Sequence, residues 1–268
     1  MSETRDAAAF ERVACEAAAL AGEILRRRFR EKNPLTVETK GLHDYVTEVD
    51  REAEGVVVDF IRARFPSHVV MSEEGSPRAA AAEYRWVIDP LDGTTNFIHG
   101  VTPFSVSVAL EDEDGPLAGA ILDPFHGETF RASRGNGAFC NDEPIRVAKG
   151  SVPERALLAT GFPFRELERL DRYLETFEAF VRSTSGIRRA GSAAIDLART
   201  ACGRYDGFWE IGLSRWDIAA GVLIVREAGG IVTDPLGTQT QLETGDIVAG
   251  GPAIHRFMLD VTRRAFSR

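Results

Sequence analysis

The sequence predicts an α+β fold in which a more antiparallel half precedes a half of alternating strands and helices. Two amphipathic helical patterns open the chain, six short apolar runs bounded by turn residues follow, and strands then alternate with helices after about residue 150. Such an order of elements is typical of layered α+β domains. With 268 residues, 44% of them hydrophobic, the chain is long enough to bury a substantial core.

Two helices are predicted at the start of the chain. Apolar residues recur at spacings of three to five over residues 5–30, which is typical of a long amphipathic helix. A second helical pattern begins near Thr47 and ends at Phe65, because Pro66 cannot continue a helix. The first helix is expected to cover one face of a sheet.

Six strands are predicted next. Their β-branched content and short length fit strands, and EDEDGP (111–116) and DPFHG (123–127) between them are typical of hairpin turns. The predicted strands are residues 68–74, 84–90, 104–112, 116–124, 127–135 and 143–148.

Strands and helices alternate in the second half. Strands are predicted at residues 157–162, 186–191, 206–211 and 230–234, and helices at residues 166–182, 192–203 and 216–230. The chain contains no low-complexity linker and no internal repeat, and SVPER (151–155) is the candidate hinge. We therefore expect one unit over residues 1–268, with an N-terminal α+β subdomain of about residues 1–150 and a C-terminal α/β subdomain of about residues 151–268.

Composition excludes several classes of protein. The chain has no run of 18 apolar residues and no basic-then-apolar leader, so we expect a cytoplasmic protein without a membrane partner. A net charge of −9, from 41 acidic and 32 basic residues, disfavours direct nucleic-acid binding and leaves room for carboxylates that a divalent cation neutralises. Cys15, Cys140 and Cys202 are odd in number and widely spaced without a CxxC, which predicts buried free thiols.

The stretch WVIDPLDGTTNF, residues 86–97, carries the strongest chemical signal. Asp89 and Asp92 follow an apolar strand, at a place where loop side chains converge on a cleft. A single aspartate here would be explained as the N-cap of a helix that starts at the threonines. That explanation does not account for two aspartates.

Three further acids are candidates for the same site. Glu73 and Glu74 end the preceding strand; alone they would be a solvated loop edge, but beside Asp89 and Asp92 they become candidate metal ligands. Asp217, in RWDIAAG, begins a nearly uncharged helix, where an N-terminal capping role is the alternative.

Mg²⁺ is the predicted metal, with Mn²⁺ as a substitute. Oxygen ligands without clustered histidine or cysteine select these ions over zinc. The histidines are scattered, at His43, His68, His99, His126 and His255. Magnesium held by few carboxylates completes its shell with water and substrate phosphate, and a Gly-Thr-Thr turn at a helix start supplies backbone N–H groups for that phosphate. The stretch is therefore interpreted as a cradle for metal and phosphate.

Other phosphate chemistries are disfavoured by spacing. The sequence has no GxxxxGK[ST] and no GxSxG, and RGNGAF lacks the third glycine of a dinucleotide-binding loop. Two residues separate Asp89 from Asp92, so the DxD nucleophile pair of aspartyl-phosphate enzymes is missing as well. Water is left as the nucleophile.

The sequence contains, in this order, the motifs GLHDYVTEVD, MSEEG, WVIDPLDGTTNF and RWDIAAG. Together they resemble the inositol monophosphatase family of Mg²⁺-dependent, lithium-inhibited phosphatases. The similarity spans almost the whole chain. Three further stretches resemble the bacterial branch of the family, which includes the extragenic suppressor type. They are LLATGFPF, RRAGSAAIDLA and DGFWEIGL. The resemblance implies a single catalytic unit with the layered αβαβα sandwich of inositol monophosphatases and fructose-1,6-bisphosphatases, and a homodimer.

The resemblance implies a role for each acid. The metal ligands would be Glu73, Asp89, the Leu91 carbonyl, Asp92 and Asp217. Thr94, paired with Asp50, would orient and deprotonate the attacking water, and Glu73 completes the predicted catalytic set. Without the motif, Asp50 would be taken as a solvated acid early in the second helix.

Substrate contacts are implied in the same way. The N–H groups of Gly93 and Thr94 would bind phosphate, and Glu210 would contact the alcohol, although a strand-end charge is the alternative for Glu210. The predicted substrate-binding set is completed by Asp92, Thr95, Gly191, the Ala193 backbone and Asp217. Lys40 and Asp44 would belong to the family's mobile first loop, where a surface role is almost as good an interpretation.

The function implied is Mg²⁺-dependent hydrolysis of inositol 1-phosphate to inositol and phosphate by metal-activated water. Relatives of the same fold hydrolyse fructose 1,6-bisphosphate, histidinol phosphate, adenosine 3',5'-bisphosphate or NADP, and a shared phosphate motif does not separate them. A pocket for a second phosphate has the candidates Arg165, Arg188, Arg189 and Arg215. A binding role is the alternative from another class, because extragenic suppressor type relatives take part in transcription antitermination complexes with RNA polymerase.

Overall fold

The structure is a computed structural model that describes residues 6–31, 35–41, 44–75, 82–150 and 152–267. The described helices are α1 (Ala7–Glu31), α2 (Glu48–Arg64), α3 (Thr94–Ile98), α4 (Leu170–Ser183), α5 (Ala193–Ala201), α6 (Arg215–Glu227), α7 (Gln241–Thr244) and α8 (Pro252–Phe266). None of these helices is long and apolar enough to cross a membrane.

The strands form two large sheets and one hairpin. The first seven strands are β1 (Val37–Gly41), β2 (Asp44–Thr47), β3 (Val69–Ser72), β4 (Arg85–Asp92), β5 (Ser105–Asp112), β6 (Gly115–Asp123) and β7 (Glu128–Ser133). The others are β8 (Ala138–Cys140), β9 (Glu143–Pro144), β10 (Leu157–Thr160), β11 (Gly186–Arg188), β12 (Gly207–Glu210), β13 (Ile231–Thr233) and β14 (Ile247–Gly250).

The two sheets differ in strand direction. The seven-stranded sheet has the order β3-β4-β5-β6-β7-β8-β9, with β3 parallel to β4 and the other pairs antiparallel. The five-stranded sheet has the order β11-β10-β12-β14-β13, with β10 parallel to both neighbours and β14 antiparallel to both of its own. β1 and β2 form a separate antiparallel hairpin.

The helices and sheets pack in five layers, which three hydrophobic cores hold together. One core joins α1 and α2 to one face of the seven-stranded sheet, and a second joins the other face to α5, α6 and the five-stranded sheet. A third core joins the outer face of the five-stranded sheet to α4 and α8. The predicted αβαβα sandwich is thereby confirmed. The division into subdomains near residue 150 stays a prediction, and Ser151 of the candidate hinge lies outside the described residues.

The middle layer is held at close distance by small residues. A Cβ on Gly119 of β6 would lie 3.2 Å from Ala220 of α6, and a Cβ on Gly221 would lie 2.5 Å from the Leu197 side chain of α5. Both glycines therefore allow α6 to approach its neighbours more closely than a larger residue would.

Most predicted elements are confirmed within a few residues at their ends. The strand predicted at residues 143–148 is wrong in length, since only Glu143–Pro144 pairs with β8 and proline lacks the N–H needed to continue a ladder. The β1–β2 hairpin and every element after residue 234 were not predicted. The three cysteines are free, as expected, but each is partly exposed rather than buried.

Candidate active site

A cavity of about 750 Å³ lies where β4, β10 and β12 end and where α3, α5 and α6 begin. It brings together nearly all the predicted site residues. The lining includes Glu73, Asp89, Leu91, Asp92, Gly93, Thr94, Thr95, Gly191, Ala193, Glu210 and Asp217. Asp50 lies behind this wall and is fully buried, whereas Glu74, a candidate ligand, is not among the lining residues.

A β-bulge aims the two motif aspartates into the cavity. β4 pairs with β5 in regular register as far as Asp89, and the register then shifts before Asp92. Pro90 within the shift has no N–H to offer the ladder. The N–H of Leu91 turns back to donate to Asp89 Oδ1 at 2.9 Å. The chain therefore leaves the sheet with both carboxylates at one end of the strand.

The turn after these aspartates needs glycine. Gly93 has φ +95° and precedes the first turn of α3. A Cβ at this position would also lie 3.1 Å from the Gly191 carbonyl oxygen, so a larger residue would be strained on both counts. Asn96 ties the same two segments together, because its Nδ2 donates to the carbonyls of Ala190 and Pro103 at 2.8 and 2.7 Å. Sequence reasoning missed this bridging role of Asn96.

Asp50 is held by the cap of its own helix. The Thr47 N–H donates to Asp50 Oδ2 at 2.9 Å, and the Thr47 hydroxyl contacts the same oxygen. The Thr94 hydroxyl lies 3.0 Å from both Asp50 Oδ1 and the Leu91 carbonyl, and its single proton serves one of them at a time. Burial raises the pKa of Asp50, and the hydrogen bonds from Thr47 and Thr94 oppose that rise. The predicted Asp50–Thr94 pair is therefore in contact, and Asp50 is not a solvated acid.

Asp92 and Asp217 are fixed by other helix starts. The Ser192 hydroxyl and the Ala194 N–H donate to Asp92 Oδ2 at 2.6 and 2.8 Å, where α5 begins. Asp217 accepts from the Ser214 N–H at 2.8 Å in a capping box at the start of α6. The capping role considered for Asp217 is therefore real, and the residue also lines the cavity.

These acids raise one another's pKa values. The pKa of Asp89 is held well above its ordinary value by burial and by the charges of Glu73, Asp92 and Asp217. Burial, together with the charge of Asp92, raises the pKa of Asp217 to about 7. A divalent cation would relieve this repulsion, because an opposite charge favours the ionised form of each carboxyl.

The donor set fits a hard cation. Four carboxylates and the Leu91 carbonyl offer only oxygen, which Mg²⁺ and Mn²⁺ prefer. Among the described residues, no group of three acidic, histidine or cysteine side chains is arranged so that it could hold a metal ion by itself. Mg²⁺ does not require a complete set of protein ligands, since it keeps water and substrate oxygens in its shell. The set is therefore compatible with Mg²⁺ that shares its ligands with a phosphate ester.

The other end of the cavity is built around Glu210. A Cβ on Gly161 would lie 1.8 Å from Glu210 Oε1, so the glycine leaves the space in which this carboxylate lies. Burial and the charge of Asp196 hold the pKa of Glu210 well above its ordinary value, while Arg189 opposes the rise. Asp196 is 1% exposed, and its Oδ1 has no hydrogen-bond partner among the residues that the structure describes. Sequence reasoning missed Asp196, although an acid inside the apolar SAAIDLA stretch was a visible signal.

The four candidate arginines divide into two groups. Arg165 and Arg189 line the cavity, where Arg189 lies over the rings of Phe162 and Phe164 at 5.7 and 5.4 Å. Arg188 and Arg215 do not line it. Arg215 instead forms an ion pair with Glu111 at 2.9 Å. A pocket built from all four arginines is therefore excluded by the structure.

The predicted mobile loop is described only in part. Leu42 and His43 of GLHDYVTEVD lie outside the described residues, as do the side chains of Lys40 and Asp44. Their predicted roles stay predictions.

Comparison with known proteins agrees with the fold and the cavity. The model of the inositol monophosphatase family matches residues 6–265. A Pseudomonas aeruginosa protein named Nus factor SuhB is 49% identical over 252 residues, covering 92% of this chain and 93% of the relative. An inositol-1-monophosphatase of Mesorhizobium japonicum is 43% identical over 256 residues, covering 95% and 96%. The crystal structure of extragenic suppressor protein suhB from Bartonella henselae has a TM-score of 0.91 and 41% identity, covering 96% of this chain and 99% of that chain.

The layered α+β fold and its acidic cavity, together with these similarities, define a phosphatase. The chain belongs to the inositol monophosphatase family. The resemblance drawn from the four motifs is thereby confirmed, and the family is generally metal-dependent.

Proposed function

We propose that this protein hydrolyses a phosphate monoester, inositol 1-phosphate, to inositol and inorganic phosphate in a Mg²⁺-dependent reaction. The observation that carries the proposal is the contact between Thr94 and Asp50 at the edge of the cavity that the four candidate metal-binding carboxylates line. A protein that only stored magnesium would not need a hydroxyl paired with a buried acid beside its ligands. The Mesorhizobium japonicum relative named inositol-1-monophosphatase supports the choice of substrate.

The metal and phosphate would lie at the β4 end of the cavity. Mg²⁺, or Mn²⁺ in its place, would be held by Glu73, Asp89, the Leu91 carbonyl, Asp92 and Asp217. When bound, the metal supplies an activated water, charge neutralisation of the phosphate oxygens and stabilisation of the leaving alkoxide. The backbone N–H groups of Gly93, Thr94 and Thr95 would bind the phosphate, as amides at a helix start do.

Thr94 and Asp50 would move the proton. With its own proton donated to Asp50 Oδ1, the Thr94 oxygen keeps lone pairs that accept a hydrogen bond from the attacking water. As the water attacks phosphorus, its proton passes to Thr94 and the Thr94 proton passes to Asp50. The buried position of Asp50 favours its protonated form, which is the state that this transfer produces.

The alcohol would lie against Glu210. Its carboxylate and the Ala193 backbone would bind the inositol hydroxyls, with Gly191 and Asp92 completing the contact. Only two of the four candidate arginines line the cavity, which favours a monophosphate over fructose 1,6-bisphosphate or adenosine 3',5'-bisphosphate.

The test is phosphate release with Mg²⁺ from a panel: inositol 1-phosphate, fructose 1,6-bisphosphate, histidinol phosphate, adenosine 3',5'-bisphosphate and NADP. We expect the highest kcat/KM for inositol 1-phosphate, inhibition by lithium, and a loss of at least about 100-fold in Asp92→Asn. Asp260→Asn, an exposed acid on α8, is the matched control and should behave as wild type. A bisphosphate preference would move the substrate assignment, and no hydrolysis at all would exclude the enzyme proposal.

A second candidate function is association with an RNA polymerase complex. The observation favouring it is the name Nus factor carried by the relative that is 49% identical. Replacing the chromosomal gene by an Asp92→Asn allele separates the two functions. A null-mutant phenotype that the inactive allele still complements would support the binding role, and a phenotype that follows hydrolysis would oppose it.

A homodimer in the cytoplasm, in which each chain is a single catalytic unit, completes the proposal. Light scattering of the purified protein measures its mass against the 29.3 kDa of one chain. A mass of one chain at micromolar concentration would exclude the dimer.

A further inference from the structure

Glu54 is a buried acid on α2 that holds a turn of the chain. It is 9% exposed, and a buried carboxylate is costly unless it is hydrogen-bonded. Its Oε1 accepts from the Ser72 hydroxyl at 2.7 Å, and its Oε2 accepts from the Glu74 N–H at 2.9 Å. The two contacts fall on the residues immediately before and after Glu73. Glu54 therefore fixes the backbone on both sides of the candidate metal ligand.

The same face of α2 also contacts the proton-transfer pair. Asp50 and Glu54 are four residues apart, so their side chains lie one above the other on a single helix face. Asp50 contacts Thr94, and Glu54 contacts the turn that carries Glu73. A helix rises about 1.5 Å per residue, which sets the two contacts roughly one turn apart. One rigid helix thus connects two chain segments that both line the cavity.

The turn at residues 73–75 has a short strand before it. β3 is four residues long and is the first strand in the order of the seven-stranded sheet, where it pairs with β4. A glycine with an exposed backbone, Gly75, ends the turn, and its Cβ position lies 3.5 Å from Glu54 Oε1. The hydrogen bonds to Glu54 therefore hold the turn just where the sheet ends.

We propose that Glu54 is a positioning residue that sets the place of Glu73 relative to Thr94. This inference rests on the proposed function, in which Glu73 binds the metal and Thr94 serves the attacking water. Glu54 acts through the backbone of the turn rather than on the ligand, since both of its oxygens are engaged by protein donors and it is not among the cavity-lining residues. Loss of Glu54 would leave the number of candidate metal ligands unchanged but would displace one of them, Glu73.

Three test variants and one control show whether Glu54 acts by positioning the turn or through its charge. Glu54→Ala removes both contacts. Glu54→Gln keeps the shape, because an amide can accept from the Glu74 N–H through oxygen and donate to the Ser72 hydroxyl through nitrogen. Asp59→Ala, an exposed acid on the same helix, is the matched control. Ser72→Ala removes one contact and leaves Glu54 itself in place.

The measurements use full-length protein. Mn²⁺ binding to EDTA-treated, dialysed protein is followed by the electron paramagnetic resonance of free Mn²⁺, and exchange of the Glu74 amide is followed by mass spectrometry in EDTA. We expect Glu54→Ala to weaken Mn²⁺ binding about 10- to 100-fold, as loss of a residue orienting a metal ligand does, and to exchange the Glu74 amide faster. Ser72→Ala should weaken Mn²⁺ binding roughly 2- to 10-fold. Glu54→Gln should stay within about threefold of wild type, and Asp59→Ala should be unchanged.

Two results would overturn the inference. One is Glu54→Ala binding Mn²⁺ as tightly as wild type; the other is Glu54→Gln losing as much affinity as Glu54→Ala, which would assign the effect to charge. If Glu54→Ala does not fold, Ser72→Ala takes its place, and a Ser72→Ala protein that binds Mn²⁺ as tightly as wild type would overturn the inference. A wild-type protein that binds Mn²⁺ but hydrolyses no ester would overturn the proposed function alone, and Mn²⁺ affinity and Glu74 exchange would still test the role of Glu54.

Discussion

The two ends of the cavity are built in different ways. At the phosphate end, Asp89, Asp92, Gly93 and Thr94 lie within six consecutive residues, and a bulge and a short helix aim them inward. At the alcohol end, the groups come from segments far apart in the chain. They are Gly161, Arg189, Asp196 and Glu210.

The difference separates general chemistry from substrate choice. A local motif can be recognised in the sequence because its residues are nearly consecutive, and it carries the same chemical groups wherever it lies in the fold. The alcohol end exists only after the five-stranded sheet has assembled, so its shape depends on packing around β10 and β12. We therefore expect changes at the phosphate end to abolish turnover and changes at the alcohol end to redirect it.

The largest effect is predicted for Thr94→Val. Valine keeps the shape but removes the hydroxyl that contacts Asp50, so kcat should fall by about 10²- to 10⁴-fold on every substrate alike. Steady-state kinetics on inositol 1-phosphate and on a hydroxyl-free ester such as propyl phosphate measure it. Thr129→Val, in β7, is the control. A loss of kcat on only one of the two substrates would contradict the distinction between the two ends of the cavity.

A smaller and selective effect is predicted for Gly161→Ala. The new Cβ would fall 1.8 Å from Glu210 Oε1, so Glu210 must move away from the alcohol. We expect kcat/KM for inositol 1-phosphate to drop about tenfold or more while propyl phosphate changes little, since such a shift misplaces the group that binds hydroxyls. Gly55→Ala is the matched control, because its Cβ would contact nothing within 4 Å. Equal losses on both esters would contradict the assignment of Glu210.

The smallest effect concerns stability and pH. Asp217 in the folded protein keeps its proton up to about pH 7, whereas in the unfolded chain it ionises near 3.8. Without metal, the stability associated with this group is present below pH 4 and is lost as pH rises through 7. Asp217→Asn should therefore raise Tm by a few degrees at pH 8 in EDTA and leave it nearly unchanged at pH 4. Thermal melts at both pH values check this, and a destabilised variant at pH 8 would contradict the repulsion between the acids.

The α+β fold class was predicted from local patterns, whereas the layered αβαβα arrangement was predicted from the resemblance. The two aspartates after β4 were likewise candidates because they lie in one local motif. Amphipathic spacing indicated α1 and α2, and the turn residues indicated the hairpins of the antiparallel sheet. Glu73 and Asp217 were candidates from their positions at a strand end and a helix start, but only the resemblance favoured a metal-ligand role over a loop-edge or capping role. Asp50 was placed through the resemblance alone. Asp217 is in fact a capping residue as well.

Long-range pairing explains what was not predicted. β14 lies between β12 and β13 in the five-stranded sheet, yet its four residues give no signal of that neighbourhood. The last helix was visible in principle, because Pro252 begins it and Ile254 and Met258 recur on its buried face. Arg215 pairs with Glu111, which lies 104 positions earlier in the sequence, and does not line the cavity. No local pattern shows such a contact.

The close contact of Gly119 with Ala220, described for the middle layer, has a consequence for engineering this protein. Asp217 lies one helical turn before Ala220 on α6, so an added methyl at the contact would displace Asp217 relative to the seven-stranded sheet. Libraries that aim to change substrate preference should therefore leave the glycines of this layer unvaried. The segment from Phe162 to Glu166 is the place to diversify, because it lines the cavity and carries the exposed side chains of Phe164 and Arg165.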